Sequence, residues 1–327
     1  MQDTPGLQKL LSRTNLQIPF ENFLEEVKKE YNLGKIYSYF PILEGYENAN
    51  IKIDTEKGKF VIKIFSKDVS DFEVESNVKV INESLKIGVP LTRLLEGKNG
   101  FLQKLSQSDK TLKYLLMYFF DGPSFEEQPL TMKDIVEVTR FLAKLNSFNF
   151  PVVSTYDSWG NKNLIKEYIK HKGKVSKEVK EVIDPNISDL SQIDFSGFSQ
   201  SVIHGDLQRK HVMKNSKGEY CILDLGCMRN DARIYDVSIH LAWFCLGQNN
   251  WNDRDKIVKN VIDEYTKIHP LNQAELNSIF VLIKAAYAAY LLKTSLLIQD
   301  GDTSNETRQW YRNSKEMLSK CSEWKWV

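Results

Sequence analysis

Apolar side chains in the first 120 residues follow two periods in turn. In "ENFLEEVKKEY", Phe23, Leu24, Val27 and Tyr31 recur at helical spacing, which predicts a short amphipathic helix at the opening of the fold. "KIYSYFPIL", "NIKID" and "KFVIKIF" are rich in β-branched and aromatic residues and read as strands, with "TEKGK" as a hairpin turn between the last two. Helical spacing returns from Ser70 to Lys86 through Phe72, Val78, Ile81 and Leu85, with Ser70 placed as N-cap and Gly88 and Pro90 marking the end. "TRLLEG", "GFLQKL" and "LKYLLMYFF" go back to strand character, so the pattern predicts a helix crossing beside a sheet.

From Asp121, "DGPSFEEQP" interrupts both periods, and a long helix is predicted from about Thr131 to Phe148. The break divides the chain into a lobe of residues 1–120 and a larger one of residues 121–327. The second reads as mostly helical except near 201–225, where "SVIHGD", "HVMKN" and "YCILDL" suggest short strands around loops. The fold class is therefore α+β, a small antiparallel-sheet N-lobe followed by a larger, mostly helical C-lobe. The most apolar run, "IFVLIKAAYAAYLLKTSLLI", contains Lys284 and Lys293, whose charges would be costly in a bilayer; it reads as a core helix with the lysines reaching outward.

Composition narrows the classes. With 42% hydrophobic and 27% charged residues, the 327-residue chain can bury a sizeable core and is too apolar for a disordered one. A net charge of +1 gives no broad footprint for nucleic acid or an anionic membrane. Cys221, Cys227, Cys245 and Cys321 have neither metal-site spacing nor the density of a disulfide framework, and read as buried thiols. The first residues lack the pattern of a signal peptide, so the expected compartment is the cytoplasm.

The candidate chemistry lies in "HGDLQRKHVM", residues 204 to 213, and in "ILDLG" shortly after it. A hairpin through "NSKGEY" would bring Asp224 back beside Asp206. Phosphoryl transfer from a nucleotide needs such a pair: one carboxylate to orient the acceptor hydroxyl and take its proton, another to hold the magnesium that neutralises phosphate charge. His204, Asp206 and Asp224, with Asp236 in "YDVS", resemble the pattern of the phosphotransferase enzyme family that includes aminoglycoside phosphotransferases, choline kinases and homoserine kinases. The resemblance implies a two-lobed protein-kinase-like fold. It also implies an ATP-dependent small-molecule kinase using Mg2+, with a small hydroxyl compound as acceptor, Asp206 as catalytic base, Asp224 as metal ligand, and His204 and Asp236 bracing the loop. "EGYENANIKI" and "DARIYDVSIHLAWF" look most similar to the homoserine-kinase-like branch.

The departure is His211, where the family usually has asparagine as its second metal ligand. An imidazole suits softer metals than Mg2+, so His211 could ligate the metal, contact it through water, bind a phosphate oxygen, or point elsewhere. A kinase-like nucleotide-binding regulatory protein with weakened catalysis is the alternative this motivates. A histidine-based zinc or iron hydrolase, with His240 as an extra ligand, is a third reading. Arg209 and Lys210 could face the transferred phosphate or be solvated loop charges.

For the nucleotide, Gly45, Asn48 and Asn50 tolerate the tight backbone of a phosphate-covering turn. Lys63 lies on the following strand, where kinases place the lysine that binds the α- and β-phosphates. Its expected helix partner is Glu75, with Glu73 as the competitor. Met117 and Tyr118, with Leu116, would form the connector whose backbone groups meet adenine.

Overall fold

The computed structural model describes residues 5–43, 48–153 and 156–324. Two compact units emerge, Met1–Gly122 with Asn215–Ile222, and Pro123–Lys214 with Leu223–Val327. The single boundary read from the sequence at 120/121 thus needs correcting. The break follows Gly122, and residues 215–222 belong to the first unit. The reason is local: Ile222 N–H donates to the Pro90 carbonyl at 2.8 Å, and Thr92 N–H donates to the Ile222 carbonyl at 3.2 Å.

The first unit opens with α1 (Pro5–Leu11), a helix too short for periodicity to reveal, and α2 (Phe20–Tyr31). Strands β1 (Ile36–Ile42), β2 (Ala49–Thr55) and β3 (Gly58–Ile64) precede α3 (Asp71–Lys86), and β4 (Leu94–Leu95), β5 (Gln103–Gln107) and β6 (Lys110–Tyr118) complete an antiparallel sheet in the order β1-β2-β3-β6-β4 with β5 also on β6. Strand alternation sends Ala49, Ile51, Ile53, Ile62, Ile64, Leu112 and Leu116 to one face, where they form a core with Leu7, Leu10, Phe23 and Val27. The opposite face carries Asn50, Lys63 and Met117. Asn50 is paired with Lys63, and Met117 with Val61, two residues from Lys63.

Ser70 caps α3 as expected, its hydroxyl accepting from Glu73 N–H at 3.1 Å. The buried stripe, however, runs through Glu73, Val74, Val80, Ile81 and Ser84, and Phe72 is exposed. The stripe read from the sequence, 72–78–81–85, was therefore rotated against the true inward face.

The second unit begins with α4 (Met132–Leu145), closed at its start by a reciprocal pair of bonds between Thr131 and Asp134. Then come α5 (Leu164–His171), α6 (Lys177–Ser191), β7 (Gln200–Ile203) and β8 (Val212–Lys214). β9 (Tyr220–Ile222) falls in the stretch of the first unit just described. β10 (Arg229–Ala232) pairs antiparallel with β7 and leads into α7 (Ile234–Ile239), which ends in a π-helical turn over His240–Cys245. α8 (Arg254–Thr266), α9 (Gln273–Gln299) and α10 (Asn305–Glu323) follow. α9 is the apolar run of the sequence. It is long and apolar enough to cross a membrane, yet 72% of its most apolar window is buried in the protein. Its lysines reach polar or aromatic partners, Lys284 at Asp189 and Lys293 over the Trp159 ring.

Candidate active site

The short β7/β10 ladder ends at Ile203, and the next two residues are held by α7. The fully buried Asp236 carboxylate accepts from His204 N–H at 2.7 Å, from Gly205 N–H at 2.8 Å and from the Asn146 amide at 2.8 Å. Tyr265 in turn donates to Asn146 Oδ1 at 2.8 Å. Burial raises the Asp236 carboxyl above its ordinary range, while the His204 ring and the three N–H donors favour the charge. The His204 ring, also fully buried, lies with Nε2 3.1 Å from the Leu223 carbonyl and accepts from Asp206 N–H on Nδ1 at 3.3 Å. Burial lowers its basicity, against the pull of the Asp236 carboxylate, and the ring braces the loop through both nitrogens. Between them Gly205 adopts φ +80°, and a Cβ there would lie 2.5 Å from the Cys227 carbonyl oxygen.

This frame presents Asp206. Five residues on, the buried His211 turns its ring back so that Nδ1 lies 2.8 Å from the Asp206 backbone carbonyl and 3.5 Å from Asp206 Oδ2. Leu223 N–H donates to the His211 carbonyl at 2.8 Å, which delivers Asp224 to the other side of the ring, with Asp224 Oδ2 3.5 Å from His211 Nε2. One donor atom from each of the three residues lies within 4.8 Å of the others. Asp224 has φ +58°, a left-handed conformation costly for any residue with a Cβ and common where function fixes geometry. Two carboxylates and an imidazole therefore converge on one point, an arrangement able to hold a divalent cation beside a proton acceptor.

Residues that sequence reasoning missed complete the surroundings of Asp206. Tyr290 of α9 donates to Asp206 Oδ1 at 3.1 Å, and the Gln208 amide donates to the same oxygen. Burial, with the Asp206 charge behind it, pushes the Tyr290 phenol well above its usual range and keeps it a donor. Around Tyr290 stand Trp243, Trp159 and Trp310, with ring centroids 4.4, 5.1 and 5.8 Å away. Asp157 is a further carboxylate whose protonation is favoured first by burial and then by the charge of Asp206. Gln208, two residues from Asp206, was within reach of local reasoning. Tyr290 lies in a run whose pattern says only "core".

The loop cations have other work. Arg209 donates to the Phe244 and Cys245 carbonyls at 2.8 and 3.3 Å, in the π-helical turn. Lys210 lies 4.2 Å from the Trp310 ring centroid and 3.8 Å from Glu306. Both are anchors rather than freely solvated charges. His240 is buried, 2.9 Å from Thr139 Oγ1, and lies outside the metal-capable group formed among the described residues, so the hydrolase reading loses its extra ligand.

In the first unit, Asn50 and Lys63 lie side by side in the β2/β3 register, with Met117 near them on the same face. Lys63 Nζ stands 5.6 Å from the Phe65 ring centroid, and Asn50 Oδ1 is buried without a hydrogen-bond partner. Asn48 is committed locally, accepting from Ser66 N–H at 3.0 Å. Gly45 lies outside the described residues. Glu75 is exposed and lines a surface depression with Lys79 and Lys104, and among the described residues no ion pair joins it to Lys63. Glu73, the competitor, is the buried carboxylate of α3. Tyr118 donates its N–H to the Arg93 carbonyl at 2.9 Å and its ring stacks under the Arg93 guanidinium, so that amide is already taken.

Known proteins resemble this chain in sequence and in fold. The sequence profile described as the phosphotransferase enzyme family matches residues 39–271. The homoserine kinases of Bartonella henselae and Agrobacterium fabrum are each 25% identical to this chain, over 83% of it and 84% of their own length. Among solved structures, an amicoumacin kinase in complex with AMP-PNP, Ca2+ and Ami superposes with a TM-score of 0.70 at 14% identity, covering 95% of both chains. A choline kinase from Streptococcus pneumoniae gives 0.58 at 11% identity, covering 93% of this chain and 99% of its own. These structural likenesses establish the protein-kinase-like fold.

Proposed function

The chain belongs to the phosphotransferase enzyme family, and from that premise we propose that it transfers the γ-phosphate of ATP to the hydroxyl of a small amino alcohol of the homoserine kind. The observation that carries the reading is the convergence of Asp206, His211 and Asp224 on one point. Asp206 Oδ1 is held by Tyr290 and Gln208, which leaves Oδ2 to orient the acceptor hydroxyl and receive its proton as the new O–P bond forms. A divalent cation, Mg2+ in the resemblance, would be held by Asp224 with the ring of His211, and when bound it neutralises phosphate charge. The two carboxylates fit a hard cation. Lys63, with Asn50 beside it, is the group of the first unit assigned to the nucleotide phosphates, and Glu73, the buried carboxylate of α3, stands beside the exposed Glu75 as a candidate for the helix carboxylate that supports it.

An ammonium-bearing acceptor agrees with the aromatic rings around Tyr290. It also agrees with similarity, over 83% of the chain, to proteins named homoserine kinases. The test is release of ADP from ATP with divalent cation across homoserine, choline, methylthioribose, simple sugars and aminoglycosides. Turnover with homoserine or a close amino alcohol, lost in Asp206→Asn, is the expected result. ADP release that persists in Asp206→Asn would remove Asp206 from the chemistry. Nucleotide binding without turnover on any acceptor would favour the regulatory alternative.

A further inference from the structure

We propose that His211 binds the cation directly through Nε2 and thereby shifts this site's preference from Mg2+ toward a divalent first-row transition-metal ion such as Mn2+ or Co2+. The inference rests on the reading of Asp224 as a metal ligand and adds what this chain's own histidine does there. A backbone carbonyl only accepts, so the 2.8 Å contact of Nδ1 with the Asp206 carbonyl places a proton on Nδ1. In the neutral ring the lone pair is then on Nε2, which points to the Asp224 side of the cluster, 3.5 Å from Oδ2. That is the arrangement typical of metal-bound histidine, with the second ring nitrogen donating to a carbonyl that fixes tautomer and orientation.

The ring is buried and cannot swing freely to a different partner. A 3.5 Å separation between Nε2 and a carboxylate oxygen is too long for a good hydrogen bond, yet suits two ligands that share one ion. Mg2+ demands oxygen ligands and rigid octahedral geometry, whereas imidazole gains affinity along the series from Mn2+ through Co2+. The asparagine usual in the family offers an amide oxygen in the same place, so His211→Asn exchanges nitrogen for oxygen within an otherwise unchanged site.

The experiment is pulsed electron paramagnetic resonance of the full chain loaded with Mn2+ and ADP, with and without 15N-histidine labelling, which is clean because the chain has only five histidines. Cation binding is titrated alongside by the free Mn2+ signal, with Mg2+ as competitor. The expected result is a bonded-nitrogen coupling that changes on labelling and disappears in His211→Asn. The ratio of Mg2+ to Mn2+ dissociation constants should also fall by about tenfold in that variant. Mn2+ bound without nitrogen coupling, or not bound at all, overturns the proposal from the wild-type protein alone. Nitrogen coupling with an unchanged ratio overturns the selectivity. None of these readouts requires turnover, so failure of the kinase reading would appear separately, in the ADP assay.

Discussion

Asp236→Asn tests whether the buried carboxylate of α7 holds the loop that presents Asp206. Oδ2 accepts from His204 N–H and the Asn146 amide, and Oδ1 accepts from Gly205 N–H. If the new amide oxygen keeps the Oδ2 place, the new NH2 faces Gly205 N–H, and a buried donor without an acceptor costs about 1–3 kcal/mol. The two surviving bonds lose their charge assistance, roughly another 1 kcal/mol each. Relief from burying an ionised carboxylate, the same burial that raises Asp236, offsets part of this and leaves a net loss of about 2–4 kcal/mol. The assay is hydrogen–deuterium exchange of peptides covering residues 200–212, read with urea unfolding. At 1.36 kcal/mol per tenfold, exchange at 204 and 205 should rise by roughly 30- to 900-fold. Protection unchanged within a factor of about three, with the same urea midpoint, would refute the idea that Asp236 anchors the loop.

Three further outcomes follow from particular positions. Gly205→Ala should lower stability by roughly 2 kcal/mol or more, because φ +80° is combined with a backbone oxygen 2.5 Å from the new Cβ; Gly218→Ala, at φ +81° in open space, should cost only about 1 kcal/mol in the same melting experiment. Glu73→Gln should raise the KM for ATP by about tenfold, whereas Glu75→Gln, changed on an exposed face, should leave it unaltered in the same steady-state assay. Burial lowers His240 from 6.5 to about 3, so between those pH values the unfolded chain binds a proton that the folded chain refuses. Stability should therefore fall with pH below about 6.5, by about 2 kcal/mol at pH 5 from this group, and denaturant titrations of His240→Gln should show a shallower slope, with His204 supplying part of the remainder.

What the sequence revealed of the site was what lies close along the chain. Asp206 and His211 share a loop, and Asp224 returns after one short excursion, so spacing and residue type brought the two carboxylates together while the direction of the His211 ring stayed open. Tyr290 is 84 residues from Asp206, in a helix whose apolar pattern is explained by burial alone, and its hydroxyl could be assigned only once α9 was placed. Which of Glu73 and Glu75 is buried turned on the way α3 faces. The exposed Phe72 drew the apolar stripe to the wrong side, because a large aromatic counts as a core residue in any periodicity argument. The sheet of the first unit was readable from β-branched runs, but its shortest strand, β4, was read as the longer "TRLLEG".

The assignment of residues 215–222 to the first unit bears on how such a protein can be divided or inherited. A fragment ending at Gly122 would lack Ile222, whose backbone is bonded on both sides to the segment at Pro90 and Thr92. The first unit is therefore no contiguous cassette. An exchange of gene segments at its apparent end would leave a mismatched piece embedded some ninety residues downstream, in the midst of the catalytic sequence. Variation in the two units is thereby tied together, and the two units of such a chain are expected to diverge as one lineage instead of being reassorted.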